Sequence, residues 1–191
     1  GYGYGNNPLS SLDRSADGSG TEHEFVYITG LGNAADYAGI DLSGKIAVCS
    51  RGELYYYEKA NIAAEAGAAY IISPDTDEEV IRRTRELGMV SMPGALTPTD
   101  VTTAWDAGAD IIKLFPISCF GPAYMKAIKA PLSHIPMMAV GGITEKNAAD
   151  YLAAGAIGVG VGGNLANKTW IDAGEYYKIT ETAAAMVAAV K

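Results

Sequence analysis

The segment Asp110-Ile-Ile-Lys-Leu-Phe-Pro116 sets one lysine inside an apolar run. In an extended strand successive side chains alternate between faces, which puts Ile111, Lys113 and Phe115 on one side and Ile112 and Leu114 on the other. A strand covered by helices keeps its helix-facing side apolar, so Ile112 and Leu114 belong there. Lys113 then points to the interior, near the C-terminal end of its strand. Burial disfavours the ammonium form and lowers its pKa, leaving a neutral amine able to attack a carbonyl carbon. The other fate for such a residue is an edge-strand lysine whose head reaches water along its own stem.

Two glycine pairs follow in the chain, Gly141-Gly142 ahead of Ile143-Thr144 and Gly162-Gly163 ahead of Asn164. Backbone N–H groups at such turns, with a helix start behind them, favour a phosphate or a carboxylate. The plainer reading is a pair of tight strand-to-helix turns in an alanine-rich protein. Other reactive side chains lack partners in sequence. His23 and His134 are far apart and show no metal-ligand spacing, and no base is paired with Cys119. Asp75, Asp77, Glu78 and Glu79 read as a solvated helix start that complements the helix dipole. Tyr55, Tyr56 and Tyr57 read as packing residues, and Trp105 and Trp170 as core or interface residues.

The elements that must position these groups are regular from Lys45 onward. Short apolar runs at 46–49, 70–72, 89–92, 111–115, 136–140 and 157–161 alternate with helical stretches at about 53–66, 77–87, 99–107, 121–129 and 145–154. Glycines at 67, 88, 108 and 155 stop the helices, as expected of a residue that adopts the left-handed conformation before a tight turn. Pro98 and Thr99 open one helix, and Thr144, three residues before Asn147, is expected to cap another. This alternation implies βα units and a parallel sheet. A (β/α)8 barrel binds phosphate in the loops after its last two strands, which suits the two glycine pairs. A doubly wound sheet fits less well, because no G-x-G-x-x-G follows the first strand of the regular region. The expected fold is therefore α/β, a TIM-barrel fragment of about six βα units. Residues 44–191 form that portion, preceded over 1–43 by a turn-rich segment with one strand, Phe25–Ile28.

Composition narrows the classes of function. The 191 residues carry 14 Lys+Arg against 22 Asp+Glu, a formal charge of −8, and 49% are hydrophobic. That apolar content excludes a disordered chain, and no apolar run is long enough for a membrane span. An acidic chain with no basic cluster argues against a nucleic-acid partner. Two cysteines, Cys49 and Cys119, cannot build a disulfide scaffold. Nothing at the start reads as a signal peptide, so a cytoplasmic location is expected.

The stretch from Tyr70 onward resembles the 2-keto-3-deoxy-6-phosphogluconate / 4-hydroxy-2-oxoglutarate aldolases. The resemblance is carried by Ile71-Ile-Ser-Pro-Asp75, Met92-Pro-Gly94, Ile112-Lys-Leu-Phe-Pro116, Val140-Gly-Gly-Ile143, Asn147-Ala-Ala-Asp-Tyr-Leu152 and Gly162-Gly-Asn164, in order over about 120 residues. It implies a class I aldolase that needs neither metal nor cofactor, takes a small 2-keto acid and assembles as a homotrimer. Lys113 would form a Schiff base with pyruvate, and Pro93 and Phe115 would line the pocket. Gly141, Gly142, Gly163 and Asn164 would hold the distal phosphate or carboxylate. Val140 stands where many members have Thr, removing a hydroxyl from the pocket.

Residues 25–68 resemble instead the protease-associated domain of subtilisin-like peptidases, through Asp41-Leu-Ser-Gly-Lys-Ile-Ala-Val-Cys-Ser-Arg-Gly52 and Glu58-Lys-Ala-Asn-Ile-Ala-Ala-Glu-Ala-Gly-Ala68. Together the two resemblances imply a chimera joined near Ala66-Gly67-Ala68. The aldolases' early-strand E-V-T-x-R-like motif, which supplies a general acid/base Glu and a carboxylate-binding Arg, is missing. Glu24, Glu53 and Arg51 have no spacing that replaces it. The expectation is a lysine that forms an imine yet turns over slowly, general acid–base help being worth about 10²–10⁴-fold. The alternative is a non-catalytic binding or scaffold protein.

Overall fold

The computed structural model describes residues 25–28, 34–42, 46–49, 56–65 and 67–191. Among these, β1 (Phe25–Ile28), β2 (Ile46–Cys49), α1 (Tyr56–Glu65), β3 (Tyr70–Ile72), α2 (Glu78–Glu86), β4 (Val90–Met92) and β5 (Gly94–Ala95) come in order. They are followed by α3 (Pro98–Asp106), β6 (Ile112–Leu114), α4 (Gly121–Lys129), β7 (Met137–Val140), α5 (Ala148–Ala153), β8 (Gly158–Gly160), α6 (Lys168–Asp172) and α7 (Tyr176–Ala189). All the strand pairs described are parallel. Reading Val90–Ala95 as one strand interrupted at Pro93, six strand–helix units follow residue 45, the number expected from the sequence.

These elements fall into two compact units that interleave along the chain. The first holds the described residues up to Ser73 together with Asp77–Met92 and Ala107–Ala109. In it β1 pairs with β2 and β3 with β4. Ile28, Tyr37 and Leu42 are buried together, with Val26, Ile40 and Ile62 packed against them. Tyr37 closes a 3-10 turn (Ala34–Tyr37) inside the segment expected to be plain turns. Helix α2 starts where Asp77 accepts hydrogen bonds from the N–H groups of Glu79 and Val80. It ends at Gly88, whose φ of 76° lets the Met89 N–H reach back to the Thr84 carbonyl.

The second unit comprises Pro74–Thr76, Pro93–Asp106 and Asp110–Lys191. Its sheet runs β5-β6-β7-β8, each strand beside the next in sequence, as consecutive βα units require. Alternation sorts the residues. Ile112 and Leu114 on β6, with Met137 and Ala139 on β7, are all 0% exposed. Lys113, Met138 and Val140 on the opposite face are only partly covered.

The short strand β5 was not legible as a separate element. Proline has no N–H to give to a ladder, so Pro93 divides Val90–Ala95. Residues before it pair with β3 and residues after it with β6. The helix after each glycine pair begins later than the sequence suggests, at Ala148 and at Lys168. Near the first pair Thr144 caps as expected: its hydroxyl accepts the Lys146 N–H at 3.3 Å, and the Asn147 side chain accepts the Thr144 N–H at 2.8 Å and donates to the Gly142 carbonyl at 3.1 Å.

Candidate functional site

In the register of the second unit's sheet, Gly94 lies beside Lys113, Lys113 beside Met138, and Met138 beside Gly158. Register partners in a parallel sheet share a face. Lys113 therefore stands in a row whose outer members are glycines, with open space above Gly158 and the Pro74 backbone packed against Gly94. Its own N–H donates to the Pro93 carbonyl at 2.9 Å, and the Phe115 N–H donates to the Ala95 carbonyl at 2.9 Å. These two bonds fix the height of the lysine on its strand.

The Lys113 Nζ lies 4.5 Å from the centre of the Phe115 ring. Burial pushes the Lys113 ammonium below the ordinary lysine range, while the carboxylate of Asp75 acts in the opposite sense. This is the balance that makes a lysine a nucleophile: a half-buried amine on an apolar face, with one acid nearby. Asp75 is exposed, as the solvated helix start read from the sequence expects, and its field also reaches Lys113. The helix cap there is Asp77, and Asp75 acts on the lysine.

Past Phe115 the chain turns through a cis bond to Pro116 and a 3-10 turn, Ile117–Cys119. A Cβ on Gly141 would stand 3.6 Å from the Phe115 ring and 3.3 Å from the Ile117 nitrogen, so the first glycine of the pair packs beside the lysine's aromatic neighbour. Gly142 abuts Ser118, where a Cβ would meet the serine Cβ at 2.8 Å. Both glycines adopt positive φ, 109° and 67°. The second pair is tied to the first by Asn164, which donates to the Ile143 carbonyl at 2.8 Å.

The structure so gathers Pro93, Lys113, Phe115 and Gly141 through direct contacts, and links Gly142 to Asn164 through one turn. Gly163, next to Asn164, has open space where a side chain would stand. Gly160 on β8 must stay small, since a Cβ there would meet Val140 Cγ2 at 2.8 Å.

Beside the Asn164 turn is a cavity of about 490 Å³, lined by Thr144, Glu145, Asn164, Asn167, Trp170 and Glu181 among others. Trp170 borders this space and is not a core residue. Two glutamates make the cavity a poor host for an anion. Nothing in the sequence pattern announced it, because its wall comes from α7, more than thirty residues beyond the first glycine pair. Elsewhere Cys119 is an exposed free thiol, and His134 meets the edge of Trp105 with ring centres 6.4 Å apart. His23, Glu24, Arg51 and Glu53, and the side chains of Cys49 and Tyr55–Tyr57, lie outside the described residues. Among the described residues no helix is long and apolar enough to cross a membrane.

Known proteins account for this arrangement. The family model for KDPG and KHG aldolases matches residues 44–182. The 2-dehydro-3-deoxy-6-phosphogalactonate aldolase of Escherichia coli K12 is 42% identical over 127 residues, which are 66% of this chain and 62% of that protein. The chain thus spans about three fifths of the length of that curated relative. A solved structure of native KDPGal superimposes with a TM-score of 0.67 at 31% identity, covering 87% of this chain and 92% of the other. The 4-hydroxy-2-oxoglutarate aldolase/2-deydro-3-deoxyphosphogluconate aldolase from TTHB1 gives 0.69 at 25% identity, covering 98% of this chain and 90% of the other. The fold class is accordingly the α/β, TIM-barrel-like one expected from the sequence. The joint near Ala66-Gly67-Ala68 finds no support, because the family match runs through it from residue 44 and takes in residues 44–68 of the segment that resembles a protease-associated domain. With the lysine strand and both glycine turns inside the matched stretch, the chain belongs to the KDPG and KHG aldolase family.

Proposed function

We propose that the protein is a class I aldolase that splits a phosphorylated 2-keto-3-deoxy sugar acid, or 4-hydroxy-2-oxoglutarate, into pyruvate and an aldehyde. The observation that carries this reading is Lys113, a half-buried amine 4.5 Å from the Phe115 ring, with its ammonium form disfavoured by burial. Neutral Lys113 attacks the keto carbon of the substrate and water leaves. The resulting protonated imine takes up the electrons of the bond between the carbon next to it and the hydroxyl-bearing carbon as that bond breaks. The hydroxyl loses its proton to give the aldehyde, and the enamine left on Lys113 gains a proton at carbon and is hydrolysed to pyruvate and the free amine. Pro93 and Phe115 line the pocket in this scheme. Gly141, Gly142, Gly163 and Asn164 hold the distal phosphate or carboxylate, which suits two linked turns with room at Gly163. The name of the E. coli relative adds a 6-phosphogalactonate to the candidate substrates.

The same reading includes a homotrimer and a cytoplasmic location, where phosphorylated acids that do not cross membranes are found. It also keeps the division of the chain at 43/44, supported by the start of the family match. The alternative, a non-catalytic scaffold with a protease-associated segment, predicts no chemistry at Lys113.

Incubation with pyruvate and borohydride, followed by peptide mass spectrometry, separates the two. The aldolase reading expects one reduced adduct at Lys113 that is absent from Lys113→Met. No adduct on any lysine overturns it.

A further inference from the structure

We propose that Asp75 is the proton relay of Lys113, an inference that rests on the Schiff-base reading above. The placement argument starts at Gly94. A Cβ on Gly94 would point to the face that carries Lys113, its register partner. Such a Cβ would stand 2.1 Å from the Pro74 carbonyl oxygen and 2.8 Å from the Asp75 nitrogen. The backbone of Pro74-Asp75 therefore lies on the lysine's face of the sheet, one strand away. One Cα–Cβ bond and one interstrand step of about 4.8 Å put the Asp75 backbone within roughly 9 Å of the Lys113 Cα. That is inside the combined reach of an aspartate and a lysine.

The segment is held in that place. Thr76 Oγ1 donates to the Gly94 carbonyl at 2.8 Å, so the residue after Asp75 is anchored to the strand beside Lys113. The glycine is required for the approach, since any side chain at 94 would drive Pro74 away. The carboxylate's field is felt at the lysine: it favours the ammonium that burial disfavours. An acid so placed is a proton acceptor for the amine and a proton donor to whatever forms on it.

The protons balance through one carboxylate. Asp75 accepts a proton from the Lys113 ammonium, and the freed amine forms its C–N bond to the keto carbon, leaving the former carbonyl oxygen negative. Asp75 returns the proton to that oxygen. It then takes a second proton from the nitrogen, which still carries two, and gives it to the hydroxyl as the C–O bond breaks and water departs. Two of the three ammonium protons end on the water, one stays on the iminium, and Asp75 finishes as a carboxylate.

The test follows the rate of borohydride-trappable adduct formation with pyruvate, by mass, in the full chain. Wild type must first give the adduct at Lys113; if it does not, the Schiff-base reading fails, and the relay with it. Given that adduct, Asp75→Asn is expected to form the same product at the same residue about 100-fold more slowly. Above the lysine midpoints of both proteins, where the amine is neutral in each, the deficit should shrink as pH rises and bulk base replaces the relay. Asp75→Glu should recover most of the rate, which a merely structural role for Asp75 would not predict. A slowing of less than about tenfold in Asp75→Asn, or an unchanged pH profile, overturns the proposal while leaving the Schiff base intact. Should Asp75→Asn fail to fold by circular dichroism, Asp75→Ser carries the same comparison.

Discussion

At the scale of single residues, the decisive quantity is the fraction of Lys113 that is neutral. Burial lowers its pKa and Asp75 raises it, burial being the larger influence. The rate of pyruvate trapping should therefore rise with pH and reach half its plateau below the ordinary lysine value of about 10.4. Removing the Asp75 charge should move that midpoint lower still, and stopped-flow or quenched mass measurements across pH read both. The sign for stability follows from the same shift. The unfolded chain holds the lysine proton more tightly than the folded one, so the folded state is penalised most below the folded pKa. That penalty lifts as pH rises toward the ordinary lysine value. The face Lys113 occupies was legible from Ile112 and Leu114 on either side of it. Asp75 was not: its role depends on Pro74 touching Gly94, twenty residues further along the chain, and no local pattern records such an approach. Gly94→Ala should accordingly cost about 3 kcal/mol in chemical denaturation, because the atom it meets is backbone at 2.1 Å and cannot swing aside.

Elements were read most surely where punctuation is chemical. The glycines at 67, 88, 108 and 155 all carry positive φ, and each ends a helix as expected. The start of α3 shows a reciprocal cap. Thr97 Oγ1 accepts the Asp100 N–H at 3.2 Å, and the Asp100 carboxylate accepts the Thr97 N–H at 2.9 Å. These bonds hold the Asp100 pKa below the usual carboxylate value. Thr97→Ala should destabilise the protein by about 1 kcal/mol by urea denaturation. The stabilisation from Asp100 should be present above the ordinary aspartate pKa and vanish as pH falls through the lowered one. β5 escaped the sequence pattern because it is two residues long behind a proline. The helix start expected behind the second glycine pair is delayed to Lys168, where the Asn167 side chain accepts from the Thr169 and Trp170 N–H groups.

At the scale of the whole chain, about six strand–helix units were countable from the spacing of glycines and apolar runs, and six are present among the described residues after residue 45. What the spacing could not supply was the partition into two units. The boundary crosses the chain at Ser73/Pro74 and again at Met92/Pro93, inside stretches that look continuous. Assembly belongs to this scale as well. The homotrimer reading expects light scattering to give three times the 19.9 kDa of one chain; a monomer mass in solution would refute it.

Pro93 gives this partition a clock. On one side of it the Val90 N–H bonds to the Ala69 carbonyl, within the first unit; on the other, Lys113 and Phe115 donate to Pro93 and Ala95, within the second. In deuterated solvent these amides exchange only when their own ladder opens. A few neighbouring positions would thus report two separate opening equilibria, and occupancy of Lys113 by pyruvate should slow the second set more than the first. The proline that carries no amide proton of its own marks where one timescale hands over to the other.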